Sequence, residues 1–253
     1  LKNSLPLLQI FEARRLLNKI NPDIAHGHLS TACRALSKYS GPSKRVATLH
    51  IYYKKQQHAK LDGLIAIAPW QLADIPEKLL GHTTQIDNWT ANKIAETSQR
   101  ELLRKQYDIK PTDILIGGLG RTVESKGFET LIKAFRQSNI PNARLAIIGS
   151  GKHWNKLRAL ADPGIIMPGF CSNTEDWLAA FDVFVSSAIT EPFGLVFLEA
   201  MNSGLPIIAT SSQGAKHLHH LIKSSLIPIN DIHKMSEAIK TFCQHPIART
   251  NYD

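Results

Sequence analysis

The segment DVFVSSAITEPFGLVFLEAMNSGLPIIAT, Asp182–Thr210, decides the fold. It opens on a short apolar run rich in β-branched and aromatic residues, Asp182–Ser187, and closes on another, Leu205–Thr210. Between them lies a stretch of helical period, Gly194–Asn202. Strand, crossover helix and strand in that order predict a parallel sheet. Working outward, the same alternation predicts strands at Ile114–Leu119, Arg144–Gly149, Gly164–Gly169 and Leu226–Ile229. Helices fall at Gly127–Gln137, His153–Leu160, Asn173–Ala180, Ala215–Leu221 and His233–Cys243. Together they make a nearly complete doubly wound domain, in which ligands bind beyond the carboxyl ends of the strands.

Upstream the pattern repeats but stops short, with a helix at Leu5–Lys19, a strand at Asp23–His28, a helix at Ser30–Tyr39 and strands at Arg45–His50 and Gly63–Ala68. The polar stretch Asp87–Pro111, helical near Ala95–Tyr107, reads as the connection. The expectation is an α/β protein with an incomplete N-terminal domain over 1–94 and a C-terminal domain over 95–253, both ends being cut from a longer protein.

At 253 residues and 43% apolar, the chain can bury one large core or two modest ones. Its apolar runs are all shorter than a membrane-spanning helix needs, and the first residues lack the charged start and apolar centre of a signal peptide. Cys33, Cys171 and Cys243 are far apart and form no C-x-x-C pair, which argues against a disulfide framework or a zinc site and points to a reducing cytoplasm. Of the net charge of +9, residues 1–95 carry +7, from 13 Lys and Arg against 6 Asp and Glu. That asymmetry favours an anionic partner on the first part, such as phospholipid headgroups or an acidic glycolipid, although a merely solvated basic surface also fits. Basic residues interleaved with aromatics are missing, which argues against nucleic acid.

Two constellations carry chemistry. In EPFGLVFLEA, Glu191–Ala200, Pro192 predicts a helix that starts beside Glu191, placing Glu199 roughly 12 Å further along the axis. The pair then spans too far for glycosidase carboxyls, which stand ~5–9.5 Å apart, and suits two grips on one extended ligand. Gly194 inside that helix suggests close backbone approach by a ligand. A helix turning two glutamates to solvent is the alternative. In GGLGRTVESKGF, Gly117–Phe128, glycines at a strand end lead to Arg121 and Lys126, while the dinucleotide fingerprint fails because after Gly118 and Gly120 its third place holds no glycine. A guanidinium and an ammonium so spaced suit a diphosphate clamp without a metal, and the chain has no D-x-D pair to hold one. The histidine groups His26/His28 and His217/His219/His220 lack a carboxylate or cysteine at ligand spacing.

The order of GLGRTVESKGF, LAIIGSG, MPGF, the Asp182–Thr210 segment and a following GA resembles retaining glycosyltransferases of the GT-B fold, family four, over nearly all of residues 110–230. Upstream, NPDIAHGH and RVATLH are similar to that family's acceptor-side domain. The resemblance implies two facing Rossmann-like domains and a nucleotide-diphosphate sugar as donor, with no cofactor and no metal. It implies a glycan or glycolipid acceptor from the cell envelope, such as a lipopolysaccharide core, and the basic first part fits a cytoplasmic enzyme lying peripherally on the inner membrane face. Arg121 and Lys126 would neutralise the diphosphate, Glu191 would hold the transferred sugar and Glu199 the ribose. The backbone around Gly120, Phe193, Gly194 and Leu195 would line the donor site, Phe170 would meet the base, and His50 would approach the reacting sugar. Lys216 and His217 depart from the family, which places a glutamate there. A homologue that only binds a nucleotide sugar, or an epimerase of the same fold, remains open.

Overall fold

The computed structural model describes residues 6–91, 95, 97–222 and 224–250. The chain forms two compact units, Leu1–Asn88 and Trp89–Asp253. The expected boundary at 94–95 adjoins residues 92–94 and 96, which lie outside the described residues, as do the first five residues and with them the start of the helix expected from Leu5.

The first unit runs α1 (Pro6–Ile20), β1 (Ile24–His28), α2 (Leu29–Ser37), β2 (Lys44–Leu49), α3 (Lys55–His58), β3 (Gly63–Ala66), a 3₁₀ turn (Pro69–Asp74), α4 (Glu77–Leu80) and β4 (Thr83–Gln85). Its four strands lie in sequence order and all are parallel. Ala25, Cys33, Leu36, Ala47, Leu49, Leu64 and Leu79 form its core. Strand β4 is invisible in the sequence because Thr-Thr-Gln on an edge, half to fully exposed, has no apolar run to announce it. Gln71 is fully buried; its amide oxygen accepts from Ile67 N at 2.7 Å and its amide nitrogen donates to Leu49 O at 2.8 Å, tying the exits of β3 and β2 together.

The second unit runs α5 (Thr97–Gln106), β5 (Ile114–Leu119), α6 (Phe128–Ser138), β6 (Ala143–Ile148), α7 (Trp154–Leu160), β7 (Ile165–Gly169), α8 (Thr174–Ala180), β8 (Val183–Ser186), α9 (Leu195–Asn202), β9 (Ile207–Ala209), α10 (Gln213–His217), α11 (His219–Ile222) and α12 (Ile232–Gln244). The sheet order is β7-β6-β5-β8-β9, all parallel. The chain therefore winds outward from β5 to β7, then crosses back to lay β8 on the other side of β5. Strand order reverses between β5 and β8, and their carboxyl ends open a crevice there. The glycines of ILIGGL lie inside β5 rather than in a phosphate loop, and a Cβ on Gly117 would stand 2.0 Å from the Phe181 ring.

Two expected elements differ. Leu226–Ile229 contributes only a bridge between Ile227 and Thr210, because Pro228 has no N–H to extend the ladder. The helix expected at Ala215–Leu221 divides at buried Leu218, which ends α10 and accepts the first bonds of α11 from Leu221 N and Ile222 N.

Three arginines converge on the carboxyl end of α8. Arg100 donates to Ala179 O, Ala180 O and Phe181 O at 2.8–2.9 Å, Arg104 to Ala180 O at 3.0 Å, and Arg249 to Ala179 O and Phe181 O at 2.5 and 2.8 Å. The orphan carbonyls of a helix end attract such cations, and Asp182 offsets their charge by accepting from both Arg100 and Arg104.

Two outcomes follow from the packing. Gly127 has φ +62°, and a Cβ there would lie 2.0 Å from Ser187 O, so Gly127→Ala is expected to destabilise the second unit by on the order of 2–4 kcal/mol, read as a lower urea midpoint. His58 is buried with Nδ1 accepting from Lys54 N at 2.9 Å, and burial followed by the Lys54 charge lowers its pKa to about 4. The unfolded chain takes up this proton near the ordinary value of about 6.5 and the folded chain only near 4. Stability is therefore intact above the upper value and falls, by on the order of 3 kcal/mol, as pH drops through that window. His58→Asn, which keeps an acceptor near Nδ1 without the titration, should flatten the loss in urea melts between pH 7 and 4.

Candidate active site at the strand-order switch

Two loops meet at the switch point. Residues 120–127 leave β5 and residues 187–194 leave β8. Ile189 N and Thr190 N both donate to Ser125 O, at 2.8 and 3.1 Å, and Ser187 Oγ donates to Lys126 O at 3.0 Å. The second loop is fastened on its other side, where Thr210 Oγ1 donates to Ala188 O at 2.6 Å and Gly214 N to Glu191 O at 2.6 Å. With both backbones held, Lys126 Nζ pairs with Glu191 Oε2, and the side chains keep only 20% and 12% of their exposure. The lysine stem packs over Gly120, where an added Cβ would meet Cε at 3.2 Å. Arg121 is exposed and has no side-chain partner among the described residues.

Glu199 projects from α9 and is half-buried. Burial pushes its carboxyl above the usual range, the Lys126 charge pulls it back, and Glu175 adds to the rise. Lys126 therefore acts on both glutamates, a relation that spacing along the chain could not display.

The segment around Glu191 corrects the sequence expectation. Helix α9 starts at Leu195, so Glu191 and Pro192 belong to the preceding loop and Gly194 caps the helix instead of lying within it. Gly194 has φ +94°, a turn an L side chain resists, and a Cβ there would stand 2.2 Å from the Phe197 ring. Phe193 and Phe197 both enter the core, and the chain reverses between them at the one residue able to do so. Glu199 thus stands one turn from the helix start, not two turns from Glu191. The Phe193 side chain is committed to packing, its ring 5.5 Å from that of His217, while Leu195 is exposed at the helix opening. Phe170 follows β7 at the same end of the sheet and is 76% exposed. Lys216 is exposed on α10.

His50 belongs to the first unit. It follows β2, where its Nε2 lies 2.9 Å from Nδ1 of His28 at the end of β1, and His26 Nε2 lies 2.9 Å from Thr48 Oγ1. Burial first, then the charges of His28 and His26, lowers the pKa of His50. The sequence offers His28 only as part of a histidine group without further metal ligands, because one residue of HGH shows nothing of a neighbour 22 positions on. Among the described residues no group of three or more His, Cys, Asp or Glu is arranged to hold a metal ion. A concavity of about 480 Å³ lies beside the switch point, lined by Phe128, Lys133, His153, Lys156 and Asn230 among others.

The family described as Glycosyl transferases group 1 matches residues 99–253, more than half of the chain. The lipopolysaccharide core biosynthesis glycosyltransferase LpsE of Rhizobium meliloti is 33% identical over 153 residues, covering 58% of this chain and 44% of LpsE. Over 245 residues, 93% of this chain and 69% of the relative, LpsD of the same organism is 26% identical. This chain thus spans less than half the length of LpsE. Among solved structures, Anabaena Alr3699/HepE in complex with UDP-glucose superposes with a TM-score of 0.81 at 20% identity, covering 92% of this chain and 71% of that one. WaaG, a glycosyltransferase involved in lipopolysaccharide biosynthesis, superposes with a TM-score of 0.72 at 17% identity, covering 92% and 72%. These likenesses show the GT-B fold. With its strand-order switch and the family match over the whole second sheet, the chain belongs to the glycosyl transferases of group 1.

Proposed function

We propose that the chain transfers a sugar from a nucleotide-diphosphate sugar to a glycan or glycolipid acceptor, with retention of anomeric configuration, in the assembly of a cell-envelope polysaccharide or lipopolysaccharide. The observation that carries this reading is the Lys126–Glu191 pair at the strand-order switch, with unpaired Arg121 on the same loop. A cation and a carboxylate side by side match the groups on either side of the bond to be broken, the phosphate and the hydroxyl-bearing sugar. The names of LpsE and LpsD, and the UDP-glucose bound by HepE, support the substrate classes.

In this reading Arg121 and Lys126 meet the diphosphate and the negative charge that grows on it as the sugar departs. Glu191 accepts hydrogen bonds from hydroxyls of the sugar, and Glu199 from those of the ribose. The amides opened by Gly194 at the start of α9 face the phosphates, Phe170 lies by the base, and His50 acts on the sugar's reactive side. The bond between the anomeric carbon and the phosphate oxygen breaks as the acceptor oxygen bonds that carbon from the same face. The acceptor's proton passes to the departing phosphate, so no carboxylate is needed as base and the phosphate charge is met by side chains without a metal. The basic first part would hold a cytoplasmic protein against the anionic inner membrane face.

Transfer is tested by incubating the protein with UDP-, GDP- and ADP-sugars and envelope glycan acceptors and reading the product anomer by NMR; an inverted product would overturn the assignment. In calorimetric titration with UDP, Glu199→Ala should weaken binding by about 10–100-fold, the loss of charge-assisted hydrogen bonds, and by more than Glu191→Ala. Equal affinities in the two variants would refute the division of roles. The protein should sediment with anionic vesicles at low salt and be released as salt screens the contact; indifference to anionic vesicles removes the membrane from the proposal.

A further inference from the structure

His28 and His50 are joined across β1 and β2 by a ring-to-ring hydrogen bond of 2.9 Å, with centroids 5.2 Å apart. Both stand at the carboxyl end of their sheet, where His28 pairs in register with Thr48. The chain takes an uncommon course to bring them there. Strand β1 ends at His28 and helix α2 begins at Leu29 with no loop between, and Leu29 adopts φ +66°. A branched side chain in the left-handed region costs of order 1–2 kcal/mol, and such strain gathers at functional sites. Leu29 is also 68% exposed, so the strain brings no burial in return.

We propose that His28 is a positioning residue for His50, holding its Nε2 so that its Nδ1 stays open to a ligand, and that the two rings work as one proton-sharing dyad. This rests on the reading of His50 as a site residue. In the neutral pair one of the two facing nitrogens carries the hydrogen and the other accepts it. A second proton at the contact makes both nitrogens donors, breaks the bond and frees the His50 ring to turn. His50 Nδ1 makes no hydrogen bond among the described residues, which leaves it available to a ligand.

The charged and titratable groups around the dyad are His26 on β1, Cys33 on α2, Tyr52 and Lys54 beyond β2, and His58 on α3, the last four lining with His50 a small cavity of about 100 Å³. The charge of His28 contributes to the lowered pKa of His50, after burial and ahead of His26. Removing His28 therefore takes away both the hydrogen bond and one repelling charge, while the other groups stay in place.

The test uses the full chain with ¹³C-labelled histidine rings, the His50 signal being identified by its loss in His50→Ala. His28→Asn keeps a hydrogen-bonding atom near the place of Nδ1 but cannot titrate; His28→Ala keeps neither. In both, the His50 titration midpoint should rise toward the ordinary histidine value of about 6.5. In transfer assays His28→Ala should lose about tenfold in kcat with the donor KM unchanged, the worth of one hydrogen bond; His28→Asn should regain most of that rate, and both should show the acid limb moved to higher pH. An unmoved His50 midpoint, or equal rates in the two variants, overturns the dyad. A wild-type chain without transfer activity overturns the functional reading of His50 instead and leaves the dyad to be judged on its titration alone.

Discussion

A single ammonium, Lys126 Nζ, held against Glu191 where the strand order reverses, is the constraint around which the second unit is arranged. Both side chains are largely withdrawn from water, and a desolvated pair that loses one partner costs several kcal/mol. Its geometry therefore has to be secured by something other than the charges. The backbone does this: Ser125 O accepts two amides of the opposite loop, Ser187 Oγ reaches Lys126 O, and Gly214 N holds Glu191 O. Gly127 and Gly194 supply the left-handed turns that let these loops close so tightly. The crevice thus carries one positive charge already compensated and one, Arg121, that is not.

The first unit solves a related problem with less material. Four parallel strands, packed with helices around a buried apolar core, present their carboxyl ends as a shelf. On that shelf His26, His28 and His50 are paired ring to ring or ring to hydroxyl. A neutral imidazole pair avoids the desolvation cost that the lysine–glutamate pair has to bear.

Most of the second unit was legible because its strands are buried on both faces and read as apolar runs, each found within two residues of its expected place. What was not legible follows from local physics. Strand β4 sits on an edge and has no hydrophobic run; Pro228 stops a strand that its neighbours suggest; and the helix start was set by the habit of Pro192 when the conformation of Gly194 decides it. For the candidate site, Arg121, Lys126, Glu191 and Glu199 could be named from motifs. That Lys126 meets Glu191, and that His28 meets His50, depends on contacts 65 and 22 residues apart in the chain, which no local pattern encodes.

The arginines at the end of α8 have a consequence for the architecture of the second unit. Arg100 and Arg104 come from its first helix, and Arg249 from the segment beyond its last, yet all three grip the same short run of carbonyls. The first helix of the unit and the segment beyond α12 are thereby clasped at one spot. Loosening either one leaves carbonyls of α8 uncapped, so stretches of chain far apart in sequence hold each other in place.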